Sequence, residues 1–563
     1  MLHATLILHG GHLYTMDPAQ PHAEALAIAG NRIAAAGRRT DVLALRGPNT
    51  ALIDLTGQIA IPGLIDSHVH LANWALIRRW VMLDGLASLQ AVLDAVADRV
   101  ATTPPGAWVR GFGWNHNVWP ETRFPTRYDL DAVAPAHPVA LRRKDGHSLW
   151  VNTAALAQSG LLDATPDVPG GRFDRDESGA LTGIIREMAI DWFTKHVIGP
   201  PPLADTQAAL VEAMPMAHAL GLTSVQTPEE PDKLAAWLVL RERGELRLRV
   251  WAMLEKDGLD AAIGLGLRAG FGDDWVRLGG LKLYADGALG SHTADMLEPY
   301  TDDPSRQGFA ILSTEQLRDL TRRASRAGFP VCVHAIGDAA VRRVLDVLAT
   351  PSPTLPLPGG GRAPSPRRGE PLAPLREAAH GRGGGLRHRI EHVQVIHPAD
   401  LGRLAELGVI AAMQPLHAPS DRAVVERLWG ARARYSYAWR SLLDRGTRLA
   451  FGSDGPIEDI DPLAGIYAAV TRRHPHPDVP QAQGEPAEGW YPQECLTVAE
   501  AVRAYTLDAA YAASEDHVKG SLTPGKLADV VVLSRDIFAE PPDAIRQAQV
   551  TMTILDGQVV YER

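Results

Sequence analysis

The stretch Ile59-Ala60-Ile61-Pro62-Gly63-Leu64-Ile65-Asp66-Ser67-His68-Val69-His70-Leu71 is apolar for most of its length and turns polar at two histidines. Alternate residues of a strand share a face, so His68 and His70 project to the same side. The run reads as a buried strand. Two imidazoles at its end suit a divalent metal, and borderline ions such as zinc favour nitrogen donors. His-x-His alone is a weak signal, and its weight comes from the rest of the chain.

Seven further short apolar segments lie downstream: TSVQTPE (223–229), LRVWAML (248–254), LGGLKLYADG (278–287), FPVCVHAIG (329–337), HRIEHVQV (388–395), GVIAAMQP (408–415) and RLAFGSDGP (448–456). Helix-length stretches separate many of the apolar segments, among them SLQAVLDAVADRVATT (88–103), with Ser88 placed as an N-cap. Strands and helices alternating about eight times predict parallel strands with crossover helices and closure into a barrel over 62–515. Residues 1–61 and 516–563 read instead as short strands with turns. Two such ends form one small sheet domain if the middle folds as a unit with neighbouring termini. Residues 351–388 break the pattern: Pro, Gly and Arg supply 22 of the 38, too polar and kinked to order around a core, so a flexible surface insertion is expected.

Hydrophobic residues make up 45% of the 563-residue chain and charged ones 22%, which excludes bulk disorder. The formal charge of −10 argues against a nucleic-acid partner. Only Cys332 and Cys495 occur, so no disulfide framework is expected and a reducing, cytoplasmic setting fits. The N-terminus lacks a signal-peptide pattern, and no uncharged apolar run reaches 18 residues, so no membrane span is expected.

Three other segment ends offer ligand types. His334 closes FPVCVH, His392 sits in RIEHVQ, and Asp454 closes RLAFGSD before Gly455-Pro456. A lone histidine is more often a hydrogen-bonded core residue, and an Asp before Gly-Pro more often a turn former. Four candidate strand ends on one barrel rim change that balance, because barrel active sites gather on the C-terminal face. Lys282 lies among Leu281, Leu283 and Tyr284. Such surroundings depress an amine pKa, leaving a nucleophile able to form a Schiff base or take up CO2 as a carbamate; a salt-bridged or snorkelling lysine is the bland alternative.

Together, PGLIDSHVHL (62–71), LKLYADGALGSHTA (281–294), VHAIGDAAV (333–341), HRIEHVQ (388–394), AFGSDGP (450–456) and GSLTPGKLADVVVL (520–533) resemble the amidohydrolase superfamily. The resemblance is to its amidohydrolase-3 branch, which includes N-substituted formamide deformylases, and it runs in order over about 1–350 and 389–563. It implies a distorted (β/α)8 TIM barrel with a small β-sandwich built from both termini. It implies that His68 and His70 bind the more buried of two divalent metals, expected to be zinc ions bridged by carboxylated Lys282. His334 and His392 would hold the second, and Asp454 would bind metal and shuttle the proton. The implied activity is hydrolysis of a small-molecule C–N bond, amide or formamide, by metal-bound hydroxide.

The same resemblance points to substrate-side residues. Trp114 and Asn115, in GFGWNHNVWP (111–120), would line a pocket, although core packing is the default for a tryptophan. His147, in LRRKDGHSLWVNTAAL (141–156), would stabilise the carbonyl oxygen, and Arg186 in GIIREM would clamp an anionic group or sit in an ion pair. Asn152 reads as a helix cap. Two alternatives stay open: a mononuclear deaminase or ester hydrolase with unmodified Lys282, and a non-catalytic regulatory or binding protein that retains the barrel. A homo-oligomer is compatible with all of them.

Overall fold

The computed structural model describes residues 3–121, 123–144, 146, 148–161, 163–168, 170–349 and 385–563. His147 and most of the Pro/Gly/Arg-rich segment, through residue 384, lie outside the described residues. The chain divides into two compact units, one of residues 1–71 and 211–563 and one of residues 72–210.

In the first unit, eight strands form one parallel sheet: β1 (Leu64–Asp66), β2 (Leu222–Glu229), β3 (Arg249–Glu255), β4 (Val276–Tyr284), β5 (Val331–Ala335), β6 (Arg389–His392), β7 (Ile410–Met413) and β8 (Leu449–Phe451). Each pairs with the next in chain order. The amide of Ser67, just past β1, donates to the carbonyl of Phe451 at 3.0 Å, bringing the first strand back to the last and nearly closing the barrel. Both faces of a barrel strand are covered, which is why β2 is buried at all eight positions. Before β5, helix Thr314–Ala327 starts at a capping box of Ser313 and Gln316 and stops at Gly328, whose φ of +85° suits glycine.

The two chain ends make the second sheet of this unit. Strand Val530–Leu533 pairs antiparallel with Ile59–Pro62, so the sheet begun by Ala4–Tyr14 is completed by the C-terminus. Leu6, Leu8, Leu26 and Ile28 meet Val530, Val532 and Ile554 in one core, while Ile7, Ala25 and Ala27 on the opposite face pack with Val42. This is the sandwich-like terminal domain expected from the resemblance. Arg249 of β3 locks it to the barrel: its guanidinium pairs with both oxygens of Asp529 at 2.7 and 2.9 Å and with Asp556 at 2.9 Å.

The unit 72–210 has its own mixed six-stranded sheet, with Trp114, Trp150, Val92, Val96 and Leu141 in its core. Ser88 caps helix Leu89–Thr102 by accepting from the amide of Ala91, and Asn152 caps Thr153–Ser159 by accepting from Ala155. Both caps match the sequence reading. Among the described residues no helix is long and apolar enough to cross a membrane.

Candidate metal centre

Ligand atoms of His68, His392 and Asp454 lie within 4.8 Å of one another, and all three residues are buried. His392 ends β6, whereas His68 lies two residues past β1 and Asp454 three past β8, so the first strand stops at Asp66, short of the two histidines that the sequence reading placed on it. Asp66 clamps the first and last of these strands. Its carboxylate accepts from the amides of His68 (3.0 Å) and Ser453 (3.1 Å) and from the Ser453 hydroxyl (2.6 Å). The amide of Asp454 in turn donates to the carbonyl of His68 at 2.7 Å. Gly452 permits this approach, because a Cβ there would lie 2.4 Å from the His68 nitrogen. His392 and Asp454 both have positive φ, +74° and +60°, backbone strain of the kind that clusters at functional sites.

His70 Nε2 is 3.6 Å from Asp454 Oδ1, and His68 Nε2 is 3.5 Å from the same oxygen. Lys282 is 1% exposed, and its Nζ donates to His68 Nε2 at 3.1 Å. The His334 and His392 rings are 4.6 Å apart, and those of His392 and His68 5.0 Å. Six residue positions read from the sequence (68, 70, 282, 334, 392 and 454) therefore converge on one end of the barrel.

The partners of these imidazoles fix their free lone pairs. His68 Nδ1 faces Glu391 Oε2 at 2.6 Å, so Nδ1 carries the proton and Nε2 is the donor atom. His392 Nδ1 faces Gln414 Oε1 at 2.8 Å, which likewise frees Nε2. His334 gives its Nε2–H to the carbonyl of Gly287 at 2.9 Å, leaving Nδ1. Glu391 is itself held by Arg389, Nε to Oε1 at 2.5 Å. Ligating histidines are oriented in this way by carboxylate or carbonyl acceptors.

Burial and the neighbouring Lys282 push His70 down to about 3 and His334 to about 4. Burial, then neighbouring basic groups, hold His68 and His392 well below the ordinary value. All four are therefore neutral, as metal ligation requires. Burial lowers the Lys282 amine against the pull of Glu391 and Asp454. Burial raises Asp454 to about 7, with Lys282 opposing and Asp66 and Glu391 adding to the rise. Neutral imidazole nitrogens, a carboxylate and an amine in one buried cluster fit a divalent metal.

A model of the amidohydrolase family matches residues 51–561. The chain belongs to the amidohydrolase family. Its branch is the amidohydrolase-3 group. Bacillus subtilis YtcJ is 32% identical over 99% of both chains. The Arabidopsis thaliana protein LONG AFTER FAR-RED 3 is 32% identical over 99% of this chain and 92% of its own. N-substituted formamide deformylase of Arthrobacter pascens is 28% identical over 99% of this chain and 98% of its own. A crystal structure of a metal-dependent hydrolase from Pyrococcus furiosus superposes with a TM-score of 0.75 at 29% identity, over 95% of this chain and 99% of that one. This amidohydrolase is thus a metal-dependent hydrolase with a small-molecule substrate.

The substrate-side candidates all fall in the unit 72–210. Trp114 is 0% exposed and donates its indole N–H to the carbonyl of Leu141 at 2.8 Å. It is a core residue there, with no surface of its own to offer a ligand. Asn115 accepts from Arg143 at 3.4 Å. Arg186 pairs with Asp174 at 2.7 Å and stacks over Phe124, the ion-pair alternative of the sequence reading. Glu391, Arg389 and Gln414 went unassigned in the sequence. The signal for the first two was two opposite charges inside a buried strand, Arg389 and Glu391 two residues apart on one face of β6.

Proposed function

We propose that this amidohydrolase cleaves a carbon–nitrogen bond, of an amide or N-substituted formamide, at a zinc centre held by His68, His70, His334, His392 and Asp454, with Lys282 carboxylated as the bridge between two ions. The convergence of these side chains on one barrel rim carries the reading. The Arthrobacter relative, a deformylase of N-substituted formamides, supports the substrate class.

A divalent metal, when bound, supplies Lewis acidity toward water and the substrate carbonyl. The chain supplies the rest. Glu391 and Gln414 hold His68 and His392 with Nε2 turned to the site. Asp454 takes the proton of the attacking water on its carboxylate and returns it to the leaving nitrogen, base and then acid in one residue. Burial lowers the Lys282 amine pKa, and the unprotonated amine is the form that would add to CO2, releasing a proton and leaving an anionic oxygen donor. His147 is proposed to polarise the carbonyl oxygen, and Asn115 to contact the substrate.

One geometric fact favours a second reading. The tightest ligand set is a trio, His68, His392 and Asp454, which suits one metal with Lys282 left unmodified. Elemental analysis of purified protein, with the carbamate carbon sought by 13C NMR after 13C-bicarbonate incubation, decides between them. Two metals and a carbamate signal support the bridged centre; one metal and no signal support the trio. Asp454→Asn lowers kcat on N-substituted formamides at least ~100-fold if it transfers the proton. Undiminished turnover in that variant overturns the assignment.

A further inference from the structure

We propose that the unit 72–210 binds a small organic carboxylate on Arg110, in a cavity of about 520 Å³ walled by Leu76, Trp80, Trp108 and Ile198. Nothing in the proposed hydrolytic chemistry uses this site.

Arg110 lies on strand Val109–Trp114 and lines the cavity. Its guanidinium stacks on Trp80, 3.9 Å from Cζ to the ring centre. Among the described residues no carboxylate or carbonyl hydrogen-bonds it, and the charge nearest to it in effect is another cation. Burial, and then repulsion from Arg142, pull the Arg110 pKa down to about 10, so it is still charged at neutral pH. A partly buried guanidinium normally holds an anion, because desolvating a charge without a counter-charge is costly. Its flat face is occupied by the indole, so the N–H groups at its edge remain for an acceptor. A carboxylate matches that edge with two parallel hydrogen bonds.

The walls define the rest of the ligand. Two indoles and aliphatic side chains line a space of the size that holds a small molecule. They favour a flat apolar body such as an aromatic ring over a sugar or a polyphosphate. Asp205 also lines the cavity and is exposed. Arg79 and Arg99 line it as well, so the walls are net cationic and the ligand class is an organic carboxylate with an apolar body.

The test is isothermal titration calorimetry on the full chain, as purified with its metal, using benzoate as the probe and benzamide as its neutral counterpart. Benzoate is expected to bind at least tenfold more tightly than benzamide. Arg110→Gln is expected to remove that preference, and Trp80→Leu to weaken benzoate binding, with circular dichroism unchanged in both. Should Arg110→Gln fail to fold, Arg110→Lys keeps the charge and loses the fork, and a several-fold loss of benzoate affinity is then the expected result. Benzoate binding that survives every Arg110 substitution overturns the proposal. So does binding that disappears when metal alone is removed, which moves the carboxylate to the metal centre, and so does the absence of heat at millimolar benzoate.

Discussion

Glu391 Oε2 lies 2.6 Å from His68 Nδ1, and both side chains are wholly shielded from solvent. Arg389 holds the other carboxylate oxygen and also donates to the carbonyl of Ser67 at 3.0 Å, so a buried charge pair braces the strand end that carries His68. In Glu391→Gln an amide oxygen can still accept from His68, but the charge that enhances its basicity is gone and Arg389 loses its counter-charge. Metal affinity should fall ~10–100-fold. Metal retained against a chelator series measures it; wild-type retention would remove Glu391 from any part in positioning His68.

Gly452 sets how closely β8 can approach β1. A methyl group there meets the His68 nitrogen at 2.4 Å and Asp66 Oδ1 at 2.5 Å, so one of the two strands must shift. Overpacking of this kind costs ~1–3 kcal/mol and moves backbone. Gly452→Ala should therefore fold with a lowered midpoint and bind less metal than wild type. A crystal structure of the variant with His68 and Asp454 undisplaced, together with full metal content, would refute the argument.

The barrel and its rim were legible because each buried strand is an apolar run that stops at a polar residue. His68, His334, His392 and Asp454 announce themselves at those stops, and Lys282 by its apolar neighbours. Their orientation was not legible. Glu391 and Gln414 act from β6 and just past β7, and only the strand order makes them neighbours of His68 and His392. The unit 72–210 was hidden for another reason: strands Val139–Arg143 and Ser148–Val151 have the length and polarity of barrel strands, yet they pair antiparallel. Hydrophobic periodicity reports burial, and direction of pairing leaves no trace in it.

Arg249 joins β3 to the terminal sheet through Asp529 and Asp556. Removing one member of a buried ionic cluster leaves uncompensated charge at a cost of ~3–5 kcal/mol. Arg249→Met should lose about that much in urea unfolding, and pairing it with Asp529→Asn should recover part of the loss. Single-variant stability equal to wild type, or strictly additive losses in the double variant, would show that the pair does not brace the two sheets.

His417 supplies a pH signature of the folded state. Burial pushes it down to about 4, and Gln394 donates to its Nδ1 at 3.3 Å. The folded form thus resists a proton that the unfolded chain takes up near pH 6.5. Between those two values the unfolded state binds more protons, so stability rises with pH; it is complete above about 6.5 and is lost as pH falls toward about 4. One such group contributes at most ~3 kcal/mol over that window, about 1.4 kcal/mol for each pH unit. Urea midpoints of the metal-free protein should fall between pH 7 and pH 5, and His417→Gln should fall less steeply by the equivalent of up to one proton. His70 and His334 bend the wild-type curve in the same direction, so the difference between the two slopes, rather than either slope alone, is the quantity that isolates His417. Identical slopes would mean that His417 is protonated equally in the folded and unfolded chains.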